Sequence, residues 1–281
     1  MKILIFGDTS DWNVDDFSVE NIPEQIRRRI KEVNLCIYNL EGPVVFPDKK
    51  YYFQISQNKF RDLFWKNVLG LFKKRQPIVL STPVLAIELK KLNNNTIFTL
   101  ANNHIKDAGV EGLKDCLAIL RKHGIKYLGA GFNQEEATKE LCLKKSGWKI
   151  CILNYNFVGL RKIGIFANIY GARENDFGAS YKKFKTIKNL VEEKRREGYC
   201  VILIMHMGKV AKTIEKAGIN IRQVEQLGAD LHIIHHPHHF IPIQSRNTFV
   251  LGDFIFGSAV DQNINFIEVN ISNSGVVSRI I

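Results

Sequence analysis

Five short apolar runs in this chain each end in a residue able to hold a cation or move a proton. Lys2 to Phe6 leads into Gly7-Asp8, Leu35 to Tyr38 into Asn39-Leu40-Glu41, and Thr96 to Ala101 into Asn102-Asn103-His104. Tyr199 to Met205 leads into His206-Met207-Gly208, and Asp230 to Ile234 into His235-His236-Pro237-His238. Taken singly these are ordinary, since a Gly-Asp after a strand is more often a turn or a helix cap. A lone histidine such as His206 is more often a satisfied core or rim residue than a ligand. Four histidines within five residues (His235, His236, His238, His239) are harder to explain by packing. Imidazole and carboxylate donors with no cysteine among them suit Zn²⁺, Mn²⁺ or Fe²⁺. Two such ions about 3.5–4 Å apart would activate water and neutralise charge building on a phosphoryl or acyl oxygen. His104 is then the candidate proton donor to the leaving group.

Such a site needs strands that end at one place. The apolar runs alternate with amphipathic stretches: Pro23 to Val33 and about Val110 to His123 read as helices, the second stopping at Gly124. A further helical stretch is expected from about Lys209 to Leu227. That alternation argues for βαβ units and a sheet with buried faces, whose strand carboxyl ends line a ligand crevice. Near the end, Thr248 to Leu251, Asn265 to Asn270 and Gly275 to Ile280 leave little room for helices and are expected to pair antiparallel. A mixed sheet, or two stacked sheets with outer helices, accommodates both halves. The stretch from Gly42 to Pro83 is the least regular and reads as an insertion or cap.

The 281 residues contain 45% apolar side chains, enough for a large core, which excludes a disordered chain. The longest apolar runs are too short to cross a bilayer, and the N-terminus reads as a buried strand, not a signal peptide. Five cysteines without C-x-x-C spacing are expected to be reduced core thiols, pointing to the cytoplasm. The net charge of +12 favours an acidic partner, although much of the excess lies on helix-like stretches that read as solvated faces. No nucleic-acid reading motif accompanies it, so nucleic acid is not the expected partner.

These same residues resemble the CapA family of capsule and poly-γ-glutamate synthesis proteins, a branch of the calcineurin-like metallophosphoesterases. The resemblance runs through Gly7-Asp8, Asn39-Leu40-Glu41, and Leu100-Ala101-Asn102-Asn103-His104 with Asp107 and Gly109. It continues through Gly129-Ala130-Gly131, His206-Met207-Gly208, Gly228-Ala229-Asp230, His236-Pro237-His238 and Leu251-Gly252-Asp253-Phe254. It implies one domain over residues 1–281 with a four-layer α/β/β/α sandwich of mixed sheets, metallophosphatase-like. It also implies that Asp8, Glu41, Asn103, His206, His236 and His238 hold divalent metal, as two ions, with His104 as proton donor. Asn39, Asn102, Asp107, Lys209, His235 and Asp253 would line the site.

Several positions depart from the pattern. Ser10 stands where the wider superfamily has a histidine, and Glu41 where it has a second aspartate. Lys209 replaces an acidic residue after His-x-Gly, Asp253 replaces the asparagine of Leu-Gly-Asn-Phe, and Ile234 replaces a common glycine. Lys209 implies a shifted substrate preference. The expected activity is metal-dependent hydrolysis of a phosphoester or γ-glutamyl bond in an anionic polymer or phosphorylated precursor. The competing readings are a non-catalytic accessory protein that binds an anionic polymer and a nucleic-acid phosphodiesterase.

Overall fold

The computed structural model describes residues 1–11, 17–46, 79–145, 147–158, 172, 177–256, 259–260, 266–272 and 275–281. Most of the expected insertion, residues 47–78, lies outside them. The strands are β1 (Lys2–Ser10), β2 (Leu35–Leu40), β3 (Thr96–Thr99), β4 (Lys126–Leu128), β5 (Ala130–Gly131), β6 (Leu141–Lys145), β7 (Trp148–Asn156) and β8 (Gly178–Ala179). They continue as β9 (Cys200–His206), β10 (Leu231–His235), β11 (Thr248–Val250), β12 (Asp253–Phe256), β13 (Ala259–Val260), β14 (Ile267–Ser272) and β15 (Gly275–Ile280). The helices are α1 (Glu24–Glu32), α2 (Pro83–Leu92), α3 (Gly109–Lys122), α4 (Gln134–Thr138), α5 (Phe184–Arg196), α6 (Ile214–Ala217) and α7 (Ile221–Glu225).

One mixed sheet runs β13-β12-β1-β2-β3-β4, with β14 pairing β1 antiparallel and β15 pairing β14. A second runs β11-β10-β9-β7-β6, and β5 pairs β8 antiparallel in a small third sheet. Alternation along the strands makes the layers. Ile3, Ile5, Leu35, Ile37 and Ile97 of the first sheet pack on Ile150, Ile152, Ile202, Ile204, Leu231 and Ile233 of the second. The opposite face of the first sheet, with Phe6, Tyr38 and Phe98, packs on Ile26 and Ile30 of α1, Leu85 and Leu89 of α2, and Leu113 and Leu117 of α3. The far face of the second sheet packs on Ile187 and Val191 of α5 and Val224 of α7. The order is therefore helix, sheet, sheet, helix, as expected. Each fully buried Ile or Leu between the sheets contributes about 1.5–3 kcal/mol. A one-residue slip would turn them all outward, so the polar residues that continue the same alternation are held between the sheets too.

Three expectations need correction. The stretch from Lys209 to Leu227 is not one helix: Gly218, at φ 69°, ends α6, and the Asn220 side chain caps α7 by accepting from Gln223 N–H. β11 is not antiparallel but pairs parallel with β10, reached by a loop without a helix. The cysteines are not all thiols, because Cys142 and Cys151 face each other across the antiparallel β6–β7 pair and form a disulfide. A hairpin brings such residues together without any C-x-x-C signature, and the cysteine argument for a reducing compartment falls with it. Among the described residues no helix is long and apolar enough to cross a membrane.

Candidate metal centre

Asn39 and Glu41 follow Leu35 and Ile37 at every second position of the chain leaving β2 and so enter the inter-sheet space. Asp8 should point the other way, since Phe6 faces the helices. It is turned by an extra residue in β1: Ile5 pairs with Ile37 but Asp8 with Asn39. Gly7 sits at that irregularity. A Cβ there would lie 1.7 Å from the Gly252 carbonyl oxygen, which accepts the Asp8 N–H at 3.1 Å. Only a glycine lets β1 pass so close to the segment that carries Asp253.

From the second sheet, His206 and His235 continue the inward alternation of β9 and β10, with their Cα positions paired. His236 and His238 follow with φ of 92° and 57°, left-handed conformations that cost residues with a Cβ of order 1–3 kcal/mol each. The bent loop is held partly by the centre itself, because the His236 N–H donates to Asp8 Oδ2 at 3.2 Å.

The sheets thus bring Asp8, Glu41, Asn103, His104, His206, His236 and His238 together. Asn103 Oδ1 lies 2.8 Å from His206 Nε2, which lies 3.1 Å from His236 Nδ1. Glu41 Oε1 lies 3.7 Å from His206 Nε2, 3.7 Å from His104 Nε2 and 3.9 Å from His238 Nε2. Asp8 Oδ2 lies 3.7 Å from His238 Nδ1, and Asp8 Oδ1 accepts from Asn39 Nδ2 at 2.6 Å. Two donor groups result, Glu41 with His206 and His236, and Asp8 with Glu41 and His238, the donor atoms of each within 4.8 Å of one another.

These donors fit divalent metal. Glu41 is fully buried, and neither carboxylate oxygen has a hydrogen-bond partner. A buried, unpaired carboxylate is strongly unfavourable unless a cation joins it. Burial first, then the charges of its acidic neighbours, holds Glu41 well above the usual carboxylate range, and burial pushes Asp8 up to about 7. Burial, reinforced by neighbouring imidazoles, holds His206 well below the usual imidazole range and His236 down to about 3. Both rings are therefore uncharged at neutral pH, as metal binding requires.

The flanking residues divide by role. His104 Nδ1 lies 2.7 Å from Asp107 Oδ2, leaving Nε2 facing Glu41. His238 Nδ1 lies 2.8 Å from Asp253 Oδ1. Burial works against a charged His238, but the Asp253 hydrogen bond and the nearby carboxylates outweigh it and push the imidazole up to about 10. His235 is buried with Nδ1 3.5 Å from Asp8 Oδ1. Asn102 is a brace, not a lining residue: it accepts from Gly42 and His104 N–H and donates to the Leu40 and Leu100 carbonyls. Lys209 is exposed on the loop after β9, its N–H donating to the Ala217 carbonyl at 3.0 Å. Thr99 was not expected. Its hydroxyl donates to Asn39 Oδ1 at 3.2 Å, which fixes the carboxamide with Nδ2 toward Asp8. The signal was a hydroxyl at the inward position after Ile97.

The layer order and sheet topology define a metallophosphatase-type fold. The structure of Haemophilus influenzae NAD nucleotidase (NadN) covers 100% of this chain and 55% of its own, with a TM-score of 0.55 and 15% identity. The model of the bacterial capsule synthesis protein family PGA_cap matches residues 4–258, and the chain belongs to that family. The PGA biosynthesis protein CapA of Bacillus subtilis (strain 168) is 27% identical over 186 residues, covering 64% of this chain and 47% of the relative. The capsule biosynthesis protein CapA of Bacillus anthracis is 22% identical over 255 residues, covering 86% and 55%. The chain thus spans about half the length of these relatives.

Proposed function

We propose that the chain is a metal-dependent hydrolase of capsule or poly-γ-glutamate biosynthesis, acting on a phosphoester or γ-glutamyl bond in an anionic polymer or its precursor. The observation that carries this reading is Glu41, a buried carboxylate without a hydrogen bond, shared by two donor groups and facing an uncommitted nitrogen of His104. Asp8, Glu41, Asn103, His206, His236 and His238 would hold a pair of divalent ions, of which Mn, Zn and Fe suit the donors. When bound, such cations polarise a phosphoryl or acyl oxygen and make water a nucleophile near neutral pH.

The chain's own residues supply the rest. Asp107 accepts from His104 Nδ1–H, which fixes the ring and leaves Nε2 to carry a proton to the leaving oxygen or nitrogen. Asp253 plays the same orienting part for His238, turning Nε2 toward Glu41. Family membership and the names of the Bacillus relatives support the polymer side of the proposal. The test is elemental analysis of purified protein together with Mn²⁺-stimulated turnover of an aryl phosphodiester and of a γ-glutamyl anilide. Retained metal and turnover lost in His104→Ala are expected. Metal without turnover on either substrate class would favour a protein that only binds the polymer.

A further inference from the structure

The Asn154 side chain links the two sheets close in sequence to candidate donors on both. Asn154 continues the inward alternation of Ile150 and Ile152 in β7 and is almost fully buried. Its Oδ1 accepts the Ala101 N–H at 2.8 Å, a bond from the five-stranded sheet to the segment that leaves β3 in the other sheet. Its Nδ2 donates to the Ile204 carbonyl of β9 at 3.3 Å. Ala101 lies two residues before Asn103, and Ile204 two before His206. The same carboxamide therefore holds the approach to a donor on each sheet.

Gly129 keeps the passage open. At φ 96° it packs so closely that a Cβ would sit 2.0 Å from Asn154 Oδ1 and 2.8 Å from Ala101 N. Apolar packing between the sheets is non-directional and does not by itself fix their offset to a fraction of an ångström. A buried hydrogen bond does, because sliding would leave Ala101 N–H without its acceptor.

We propose that Asn154 is a positioning residue: it sets the offset of the two sheets at the centre and so holds Asn103 Oδ1 at 2.8 Å from His206 Nε2. Its functional consequence rests on the metal-centre reading, whereas its geometric consequence does not.

The test compares the wild type with Asn154→Leu, which removes both bonds, and Asn154→Asp, which keeps the acceptor facing Ala101. In metal-free protein, the ¹⁵N and ¹H signals of the His206 imidazole report its bond to Asn103. Co²⁺ titration with its visible absorption then reports the assembled centre. The expected result is a changed His206 signal and Co²⁺ affinity lowered roughly 10–100-fold in Asn154→Leu, the range for outer partners of metal ligands, with recovery in Asn154→Asp. An unchanged His206 signal in Asn154→Leu overturns the proposal, as does an Asn154→Asp protein no better than Asn154→Leu. Should Asn154→Leu not fold, amide exchange of Ala101 in the wild type decides: strong protection supports the cross-sheet bond, and exchange as fast as an open loop overturns it. A wild type that takes up no Co²⁺ defeats the metal reading alone, since the imidazole signals still judge Asn154.

Discussion

His238 Nδ1 and Asp253 Oδ1 lie 2.8 Å apart, a carboxylate–imidazole pair between the histidine loop after β10 and the first residue of β12. The pair exists because Gly252 lets the two segments touch: a Cβ there would lie 2.6 Å from Phe240 N. Asp253→Ala is expected to free the imidazole and lower metal affinity about 10–100-fold, the usual effect of losing such a partner. Asp253→Asn, which retains an acceptor, should keep most of it. Competition against a chromophoric chelator measures both.

His104 and Asp107 are expected to act on rate and not on metal. His104→Ala should lower turnover roughly 10²–10⁴-fold while the retained metal stays at the wild-type level. Asp107→Asn should lower it less, since the ring keeps a partner. Elemental analysis alongside steady-state kinetics checks the division, and equal metal loss in His104→Ala and His236→Ala would contradict it.

Glu41→Gln should have opposite effects with and without metal. In chelator-treated protein at neutral pH stability should rise, because burial makes the wild-type carboxyl take up a proton that it would release in the unfolded chain, and a carboxamide carries no such cost. With Mn²⁺ present, the stabilisation that metal gives the wild type should disappear. Urea denaturation under both conditions reads the two signs.

The pH dependence of folding can be isolated at His232, away from the centre. It is fully buried in β10 with Nε2 unpartnered, and burial holds its imidazole below the usual 6.5. The unfolded chain therefore takes up the proton first as pH falls through about 6.5, and native stability is lost on the acid side of that value. His232→Leu should flatten the fall in Tm between pH 7 and 5.5 relative to the wild type. A parallel fall in both proteins would show that His232 is not responsible.

The site was largely legible in the sequence because strand-terminal polar residues announce themselves against apolar runs, and the sheets then bring them together. What could not be read depends on contacts that have no local pattern. In the sequence the first apolar run stops at Phe6, where Gly7 breaks the alternation, yet the bulge carries β1 through Asp8 to Ser10. Cys142 and Cys151 look like separate core residues until the hairpin sets them opposite each other. Asn154 is a lone amide in an apolar strand, and its part follows only from the other sheet lying over it. Asn102, expected to line the site beside Asn103, instead spends its bonds on the backbone of two strand exits.

Counting bound ions shows whether the two sheets assemble one cation-holding cluster around Glu41. Protein loaded with Mn²⁺ and passed through a desalting column should retain about two equivalents in the wild type, as a shared carboxylate between two donor groups requires. Glu41→Gln should retain less than about half of that amount. A wild type that emerges without metal, or a Glu41→Gln protein that keeps the full amount, would mean that Glu41 does not hold such a cluster together.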